Sequence, residues 1–496
     1  MISLSRRRTS TDLLIYNSLT RKKEPFVPLE SGKVRMYTCG LTVNYLMHVG
    51  HARTYIIWDV VERFLEYLGY EVRHVSNITD ISVDDNILKR VRVSGEAFQQ
   101  LTTRHTQDYY QDRYSLGIRD PYTYAIATQH IQEMIELVQR LLDGGFAYIA
   151  SDGVYFRIAT FPRYGQLSGL DSKKLRPGAS GRIDKDEYDK EQVGDFVLWK
   201  RAKPGEPFWY SPWGPGRPGW HIECSAMSMK YLGESIDISG GGEDNLFPHH
   251  ENSIAQSEAA TGMPYVRYWM HVRHLNLGTE KMSKSTGNFL TVRDAIDQYD
   301  AAALRLFLLS THYRKPITFT SDALDRVSHQ IERLHQVLSR FHTLASTVSD
   351  EVKPPDTENQ RILQQTRERV EQALLDDFNT GRAINHIFQF VNQLQGLLEA
   401  DEIVTRKMID SVLRFFQDVG TIVFGDLYEG LIFPRLDPIV SALIDQLLAE
   451  RARLRKVKDY EQADAIRTTL LQMGFEIVDS KAGTGWWTRS VKHKEK

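Results

Sequence analysis

The chain has 496 residues, of which 41% are hydrophobic and 25% are charged, and its formal net charge is −2. This length exceeds what a single core usually organises, so roughly two to four domains are expected. The near-neutral charge does not mark the whole chain as a nucleic-acid-binding protein. Two cysteines exclude a disulfide scaffold, and no apolar run reaches membrane-spanning length.

The first 14 residues are rich in serine and arginine and lack the apolar stretch of a secretory signal. We interpret them as a basic extension of a cytoplasmic protein. Val34 to Thr38 then has a strand pattern, His51 to Leu68 carries apolar residues at helical spacing, and Glu71 to Ser76 predicts a second strand. Such a unit predicts a parallel sheet with a right-handed crossover, and its ligands bind at the loop before the helix.

A second unit of the same kind occurs later in the chain. Ser235 to Ile238 predicts a strand, Gly240 to Gly242 a loop, and Pro248 to Thr261 a helix. Amphipathic helical patterns come next, at 324–344, 360–375, 382–398 and 406–419, and a helical pair spans 439–473. The predicted fold is therefore α/β. Its parts are a basic extension 1–14, a Rossmann-like parallel-sheet core 15–318 with a connective insertion at about 82–213, an all-α helical bundle 319–433 and a small C-terminal domain 434–496.

The first motif that carries chemistry is His48-Val49-Gly50-His51, where the loop meets the helix. The two imidazoles can face one ligand, and Gly50 permits close approach of an adenine ring or a phosphate to the backbone. The helix N-terminus behind them favours negative charge. Alone, the tetrad is also compatible with two histidines that are satisfied within a turn.

The second motif is Lys281-Met282-Ser283-Lys284-Ser285. Two lysines among small hydroxyl residues suit a triphosphate, because they can neutralise pyrophosphate as it leaves. Alone, this segment is also compatible with an ordinary exposed basic loop. Together and in this order, the two motifs resemble the HIGH and KMSKS signatures of class I aminoacyl-tRNA synthetases, with Val49 in place of isoleucine. The resemblance implies ATP binding by His48, Gly50, His51, Lys281, Ser283 and Lys284, with His48, His51, Lys281 and Lys284 as the catalytic groups.

Further segments narrow the resemblance to cysteinyl-tRNA synthetases, over about Ile15 to Arg489. These segments are 39–42 (CGLT), 219–225 (GWHIECS), 240–244 (GGGED) and 247–252 (FPHHEN). The resemblance implies a zinc ion that binds the substrate thiolate and is held by Cys39, Cys224 and His249. It also implies that Thr42, Trp220 and Asp244 line the amino-acid pocket.

The chain departs from that family where a fourth zinc ligand, a glutamate, is expected, since Ser253 stands there. Three interpretations are open. Zinc is held by the three remaining ligands with one position free for substrate, Glu251 substitutes, or the metal is absent and the substrate has changed. We favour the first, because three protein ligands and one open position are usual for catalytic zinc.

The resemblance implies that cysteine is activated by ATP with Mg²⁺ and transferred to the 3′ end of tRNA(Cys), by a protein we expect to be a monomer. It also implies that 15–318 is the catalytic core and that the small domain 434–496 binds the anticodon. Trp486 and Trp487 could stack on RNA bases or fill a small core. Alternative hypotheses are a ligase that joins cysteine to a small amino-sugar, a nucleotidylyltransferase, and a non-catalytic or substrate-changed paralogue that binds RNA. The intact phosphate-binding motifs favour an enzyme.

Overall fold

The computed structural model describes residues 12–81, 86–170, 194–278, 280–281, 289–348, 357–400, 405–428, 438–473, 475–480 and 483–488. None of the helices within these ranges is long and apolar enough to cross a membrane.

The chain alternates strands and helices in its first two thirds and is mainly helical afterwards. In chain order the strands are β1 (Leu14–Asn17), β2 (Lys22–Pro25), β3 (Lys33–Thr42), β4 (Glu71–Thr79), β5 (Thr123–Ile126), β6 (Ala147–Ala150), β7 (Gly153–Phe156), β8 (Phe196–Arg201), β9 (Gly216–Pro218), β10 (Ile236–Gly242), β11 (Val266–Val272), β12 (Leu275–Leu277), β13 (Glu280–Lys281), β14 (Ile317–Phe319), β15 (Phe475–Ser480) and β16 (Gly483–Thr488). The helices are α1 (Val49–Tyr67), α2 (Asn86–Ser94), α3 (Phe98–Ser115), α4 (Ile131–Asp143), α5 (Trp220–Leu232), α6 (Glu251–Thr261), α7 (Val292–Gln298), α8 (Ala301–Leu309), α9 (Ser321–Thr347), α10 (Thr357–Leu375), α11 (Thr380–Glu399), α12 (Arg406–Phe424), α13 (Pro438–Lys456) and α14 (Tyr460–Gln472).

A five-stranded parallel sheet forms the centre of the first domain, with strand order β11-β10-β3-β4-β5. Helix α1 connects β3 to β4, and α6 connects β10 to β11. Gly69, at a φ of +94°, lies just past the end of α1 and allows the sharp return into β4. The predicted α/β fold with a Rossmann-like parallel sheet is confirmed.

The triple glycine lies in strand β10, and the prediction of a loop there was wrong. A Cβ atom on Gly240 would lie 2.3 Å from the Trp58 ring of α1. The missing side chains therefore let α1 pack directly on the strand, which the glycine count alone could not reveal.

The insertion predicted at about 82–213 is not one continuous excursion, because β5 returns to the central sheet beside β4. The described chain between these strands contains α2 and α3 and forms a parallel crossover. A separate antiparallel sheet, β6-β7-β8-β9, then extends to Pro218. The strand β5 has only four residues, which is too short for a clear periodic signal.

The second half of the chain contains the predicted helical bundle. Helices α9 to α12 coincide with the four amphipathic patterns, and their apolar faces join the core that includes α1. Helices α13 and α14 form the predicted C-terminal pair and share a small core with β15. The strands β15 and β16 form an antiparallel hairpin, and β16 contacts α9.

Arg305 of α8 joins the sheet domain to the bundle at a fully buried position. Its guanidinium group is paired with the Asp59 carboxylate of α1. It also donates to the carbonyl oxygens of Val423 at 2.8 Å, Leu116 at 3.1 Å and Gly117 at 3.2 Å. A buried charge of this kind is tolerated only when it is paired and hydrogen-bonded.

We expect Arg305→Met to lower the free energy of unfolding by roughly 3–5 kcal/mol, because Asp59 would lose its main buried partner. The measurement is the thermal midpoint by differential scanning calorimetry. Arg361→Met is the matched control, since Arg361 pairs with Glu358 on the exposed face of α10 and should leave the midpoint unchanged. Equal shifts in both variants would contradict the assignment.

Candidate functional site

The first motif lies at the carboxyl edge of the central sheet, where α1 begins. His48 caps this helix, and its Nδ1 accepts a hydrogen bond from the backbone N–H of His51 at 3.2 Å. The two imidazole rings are stacked with their centroids 3.5 Å apart. Val49 is buried, so its side chain serves packing and not ligand contact. Two imidazole rings thus lie at a helix N-terminus, a location that favours the binding of an anion.

The second motif is only partly within the described chain. The backbone of Lys281 lies in β13, paired with Asn276 of β12, whereas Ser283 and Lys284 lie outside the described residues. Just after the motif, the Leu290 carbonyl accepts from the Val49 N–H at 3.0 Å. The Val292 N–H donates to the Met47 carbonyl at 2.9 Å. The chain that flanks the second motif is therefore hydrogen-bonded to the loop that carries the first.

Three potential metal ligands, Cys39, Cys224 and His249, converge in the same region, and their ligand atoms lie within 4.8 Å of one another. Cys39 comes from β3, Cys224 from α5 and His249 from the turn before α6. All three side chains are buried. They form the one group of three or more such side chains found among the described residues. Two thiols and an imidazole are a donor set typical of zinc.

The electrostatics of the cluster favour a thiolate. The pKa of Cys224 is held well below its usual value, because the Cys39 thiol donates a hydrogen bond to it and His249 lies beside it. The same bond, burial and the Asp244 carboxylate raise the pKa of Cys39. A buried thiolate next to a second thiol is poised to bind a soft cation, which would displace the remaining proton.

Sequence reasoning missed three buried histidines around this cluster. The Nδ1 of His221 lies 3.0 Å from Nδ1 of His249, and the Nε2 of His250 lies 3.1 Å from the Cys39 sulfur. The Nδ1 of His250 in turn lies 2.8 Å from Nε2 of His271. Burial lowers the pKa of all three, to about 4 for His271, so they are neutral imidazoles at pH 7. The signal was present, since His221 and His250 lie within segments already singled out.

The predicted pocket residues surround the cluster to different degrees. The Trp220 ring stacks on the His249 ring at 4.6 Å. Asp244 lies in a short turn after β10, and its negative charge acts on Cys39. Thr42 is half-buried and ends β3, opposite Thr79 in the register of the sheet. The structure therefore brings all three residues to the edge of the sheet at which Cys39 lies.

The two residues considered at the missing ligand position have other partners. The Ser253 hydroxyl donates to the His249 carbonyl at 2.8 Å, one turn earlier in the chain. The Glu251 carboxylate accepts from the backbone N–H groups of Gly165 at 2.9 Å and Ser168 at 2.7 Å. Glu251 is thus committed to a loop, and this geometry does not favour its use as a substitute ligand.

Known proteins are similar to this chain over nearly its whole length. Residues 25–329 match the family described as tRNA synthetases class I (C) catalytic domain, and residues 369–425 match the DALR domain. The chain belongs to the class I tRNA synthetase family of the cysteine type. It is 44% identical to the cysteine–tRNA ligase of Symbiobacterium thermophilum, over 95% of this chain and 98% of that protein. It is 45% identical to the cysteine–tRNA ligase of Halorhodospira halophila, over 96% and 99%.

Solved structures agree with this fold at much lower identity. The Mycobacterium tuberculosis methionyl-tRNA synthetase bound to methionyl-adenylate superposes with a TM-score of 0.60 at 14% identity, over 81% of this chain and 92% of that one. The Agrobacterium radiobacter LeuRS–tRNA–LeuAMS complex gives 0.59 at 13% identity, over 82% and 85%. At such identity these neighbours support the fold alone.

Close packing at Gly40 offers a test of the geometry beside Cys39. A Cβ atom there would lie 1.6 Å from the Asn77 carbonyl oxygen of β4. We expect Gly40→Ala to destabilise the protein by at least about 1–3 kcal/mol through overpacking. The measurement is the thermal midpoint.

Gly396→Ala is the matched control for this substitution. Gly396 lies in α11 with nothing within 4 Å of the added atom, so alanine should stabilise the protein by about 0.5–1 kcal/mol. A stable Gly40→Ala variant would show that β3 and β4 are not packed as described.

Proposed function

We propose that the protein activates L-cysteine with ATP and transfers it to the 3′ end of tRNA(Cys). The observation that carries this function is the buried group of Cys39, Cys224 and His249, in which Cys39 belongs to the strand that precedes the helix bearing His48 and His51. The two sites together suit one small substrate with a thiol at one end and a carboxylate at the other. The curated relatives named cysteine–tRNA ligase support the same function.

In the first step, the cysteine carboxylate attacks the α-phosphate of ATP and pyrophosphate leaves. The chain needs no covalent intermediate for this, because positioning and charge neutralisation carry phosphoryl chemistry. We assign the contacts with adenine and phosphates to His48, Gly50 and His51, and the contacts with the leaving phosphates to Lys281, Ser283 and Lys284. Mg²⁺ accompanies ATP in this proposal, as negative phosphate oxygens require.

Zinc fits the donor set of Cys39, Cys224 and His249, and when bound it would supply a preference for thiolate over hydroxyl. Shape alone separates cysteine from serine poorly, since the two differ by one atom. The chain's own contribution would be to hold the three ligands together at a buried position. Trp220 supports the His249 ring by stacking, and Asp244 and Thr42 complete the pocket wall in this proposal.

The C-terminal half is assigned to tRNA. The DALR match lies in the helical bundle, and the similarity to the cysteine–tRNA ligase of Symbiobacterium thermophilum extends over 95% of this chain. A ligase for a small amino-sugar acceptor, a nucleotidylyltransferase and a non-catalytic paralogue have no such support and are not favoured. The backbones of Trp486 and Trp487 lie in β16, and base stacking by their side chains stays a prediction. The other predicted domain limits, the monomeric state and the cytoplasmic location also stay predictions.

Amino-acid-dependent ATP–pyrophosphate exchange tests the activation step. We expect exchange with cysteine and at least about 100-fold less with serine, because zinc distinguishes thiolate from hydroxyl more strongly than shape does. Charging of tRNA(Cys) on the same preparation tests the transfer step. Exchange without charging would favour a small acceptor, and no exchange with cysteine in zinc-replete protein would refute the proposal.

The metal assignment has its own test, which is zinc content by elemental mass spectrometry. We expect about one zinc per wild-type chain, and a large loss in His249→Gln because a ligand is removed. His130→Gln is the matched control, since His130 is also buried but bonds to the Ile126 carbonyl and the Tyr231 hydroxyl, outside the cluster. Full zinc content in His249→Gln would exclude this site.

A further inference from the structure

Arg53 lies near the start of α1, just after the His48 motif, and it is completely buried. Its guanidinium group donates to four backbone carbonyls on two segments of the chain. One nitrogen contacts the carbonyls of Arg273 at 2.9 Å and His274 at 3.0 Å. The other contacts those of His312 at 3.2 Å and Lys315 at 2.7 Å. Burial lowers the pKa of Arg53 to about 10, so the group stays charged at pH 7.

The same short segment, Arg273 and His274, is also bound by Glu243, in the turn after β10. The Glu243 carboxylate accepts from the His274 N–H at 3.0 Å and contacts the His274 ring and the Arg273 guanidinium. These interactions lower the pKa of Glu243, although burial acts in the opposite direction. Arg273 and His274 are therefore hydrogen-bonded to both helix α1 and the turn after β10.

Arg273 and His274 lead directly into the strand pair that carries Lys281. The strand β12 begins at Leu275, beside Ile317 of β14, and its Asn276 is paired with Lys281 of β13. The His274 carbonyl also accepts from the Ile317 N–H at 3.3 Å. A displacement of Arg273 and His274 would therefore move β12 and, through its pairing, the backbone of Lys281.

We propose that Arg53 and Glu243 are positioning residues that hold the β12–β13 strand pair, and with it Lys281, in register with the His48 and His51 site. The Arg53 guanidinium binds four backbone carbonyls outside α1, so its role is to connect segments rather than to pack the helix. Lysine cannot reproduce this planar, forked geometry. The inference rests on the proposed function, because it assigns Lys281 to the phosphates of ATP. It adds two residues that contact neither substrate and act through the backbone.

The test is to separate the two half-reactions in Arg53→Lys and Glu243→Gln. ATP–pyrophosphate exchange needs the lysine motif, whereas transfer from supplied cysteinyl-adenylate to tRNA does not involve pyrophosphate. We expect kcat for exchange to fall by roughly ten- to hundredfold, because small misplacements of phosphate-binding groups have effects of that size. The KM for cysteine and the rate of transfer should change less than about threefold, because the thiol pocket is built from other residues. Glu243→Ala should have a larger effect than Glu243→Gln, which keeps an acceptor for the His274 N–H.

Arg305→Lys is the matched control for a loss of stability. Arg305 is equally buried on the same core and also binds three backbone carbonyls, but on the bundle side of α1. At a temperature well below each thermal midpoint, Arg305→Lys should lower neither half-reaction selectively. The double variant of Arg53 and Glu243 should lose less than the product of the two single losses, since both act on one segment.

The outcomes separate this inference from the function on which it rests. No exchange by the wild-type protein would refute the proposed function itself. An active wild-type protein with equal losses in exchange and transfer, or the same selective loss in Arg305→Lys, would overturn the positioning role.

Discussion

Helix α1 carries three buried charged side chains, and each of them is paired with a different part of the structure. Arg53, Asp59 and Glu62 are each at most 5% exposed. Because an unpaired buried charge is costly, each requires a fixed partner. Arg53 donates hydrogen bonds to four backbone carbonyls. Asp59 pairs with Arg305, which contacts the bundle. Glu62 accepts a hydrogen bond from His74 of β4 at 2.8 Å. One helix thereby fixes the strand pair of the second motif, the bundle and the sheet relative to the His48 motif.

This arrangement brings together segments that lie far apart in the sequence. Parallel strands end at the same edge of the sheet. Cys39 on β3 and the residues after β10 are therefore neighbours in space, although they are far apart in the sequence. The glycines of β10 keep α1 close to that edge, since Gly240 packs on Trp58. The thiol cluster and the N-terminus of α1 consequently belong to the same α/β domain.

The sequence was sufficient for the periodic elements and for motifs of distinctive composition. Helix α1, the four helices of the bundle and the meeting of Cys39, Cys224 and His249 all followed from patterns or resemblance. The sequence was insufficient where tertiary packing determines the limits of a strand or the partners of a side chain. Three glycines continue β10 because neighbouring side chains occupy the space beside them, Trp58 at Gly240, Asn245 and His250 at Gly241, and Asp244 at Gly242. Strand β5 is too short for its periodicity to be recognised. The buried histidines and the carbonyls bound by Arg53 depend on long-range contacts that no local pattern encodes.

Charge balance gives a physical reason why Ser253 is compatible with the proposed zinc site. A divalent cation held by two thiolates and a neutral imidazole carries no net charge, and the substrate thiolate would bring the site to −1. A glutamate in place of Ser253 would bring it to −2, in a pocket where burial keeps the neighbouring histidines uncharged and Asp244 already adds negative charge. Without that carboxylate, a thiolate binds against less repulsion, and the cation itself is held by one ligand fewer. In a zinc site of this composition, serine at position 253 would favour substrate capture at the expense of metal affinity, and the burial of the three remaining ligands would offset part of that loss by keeping water from competing for them.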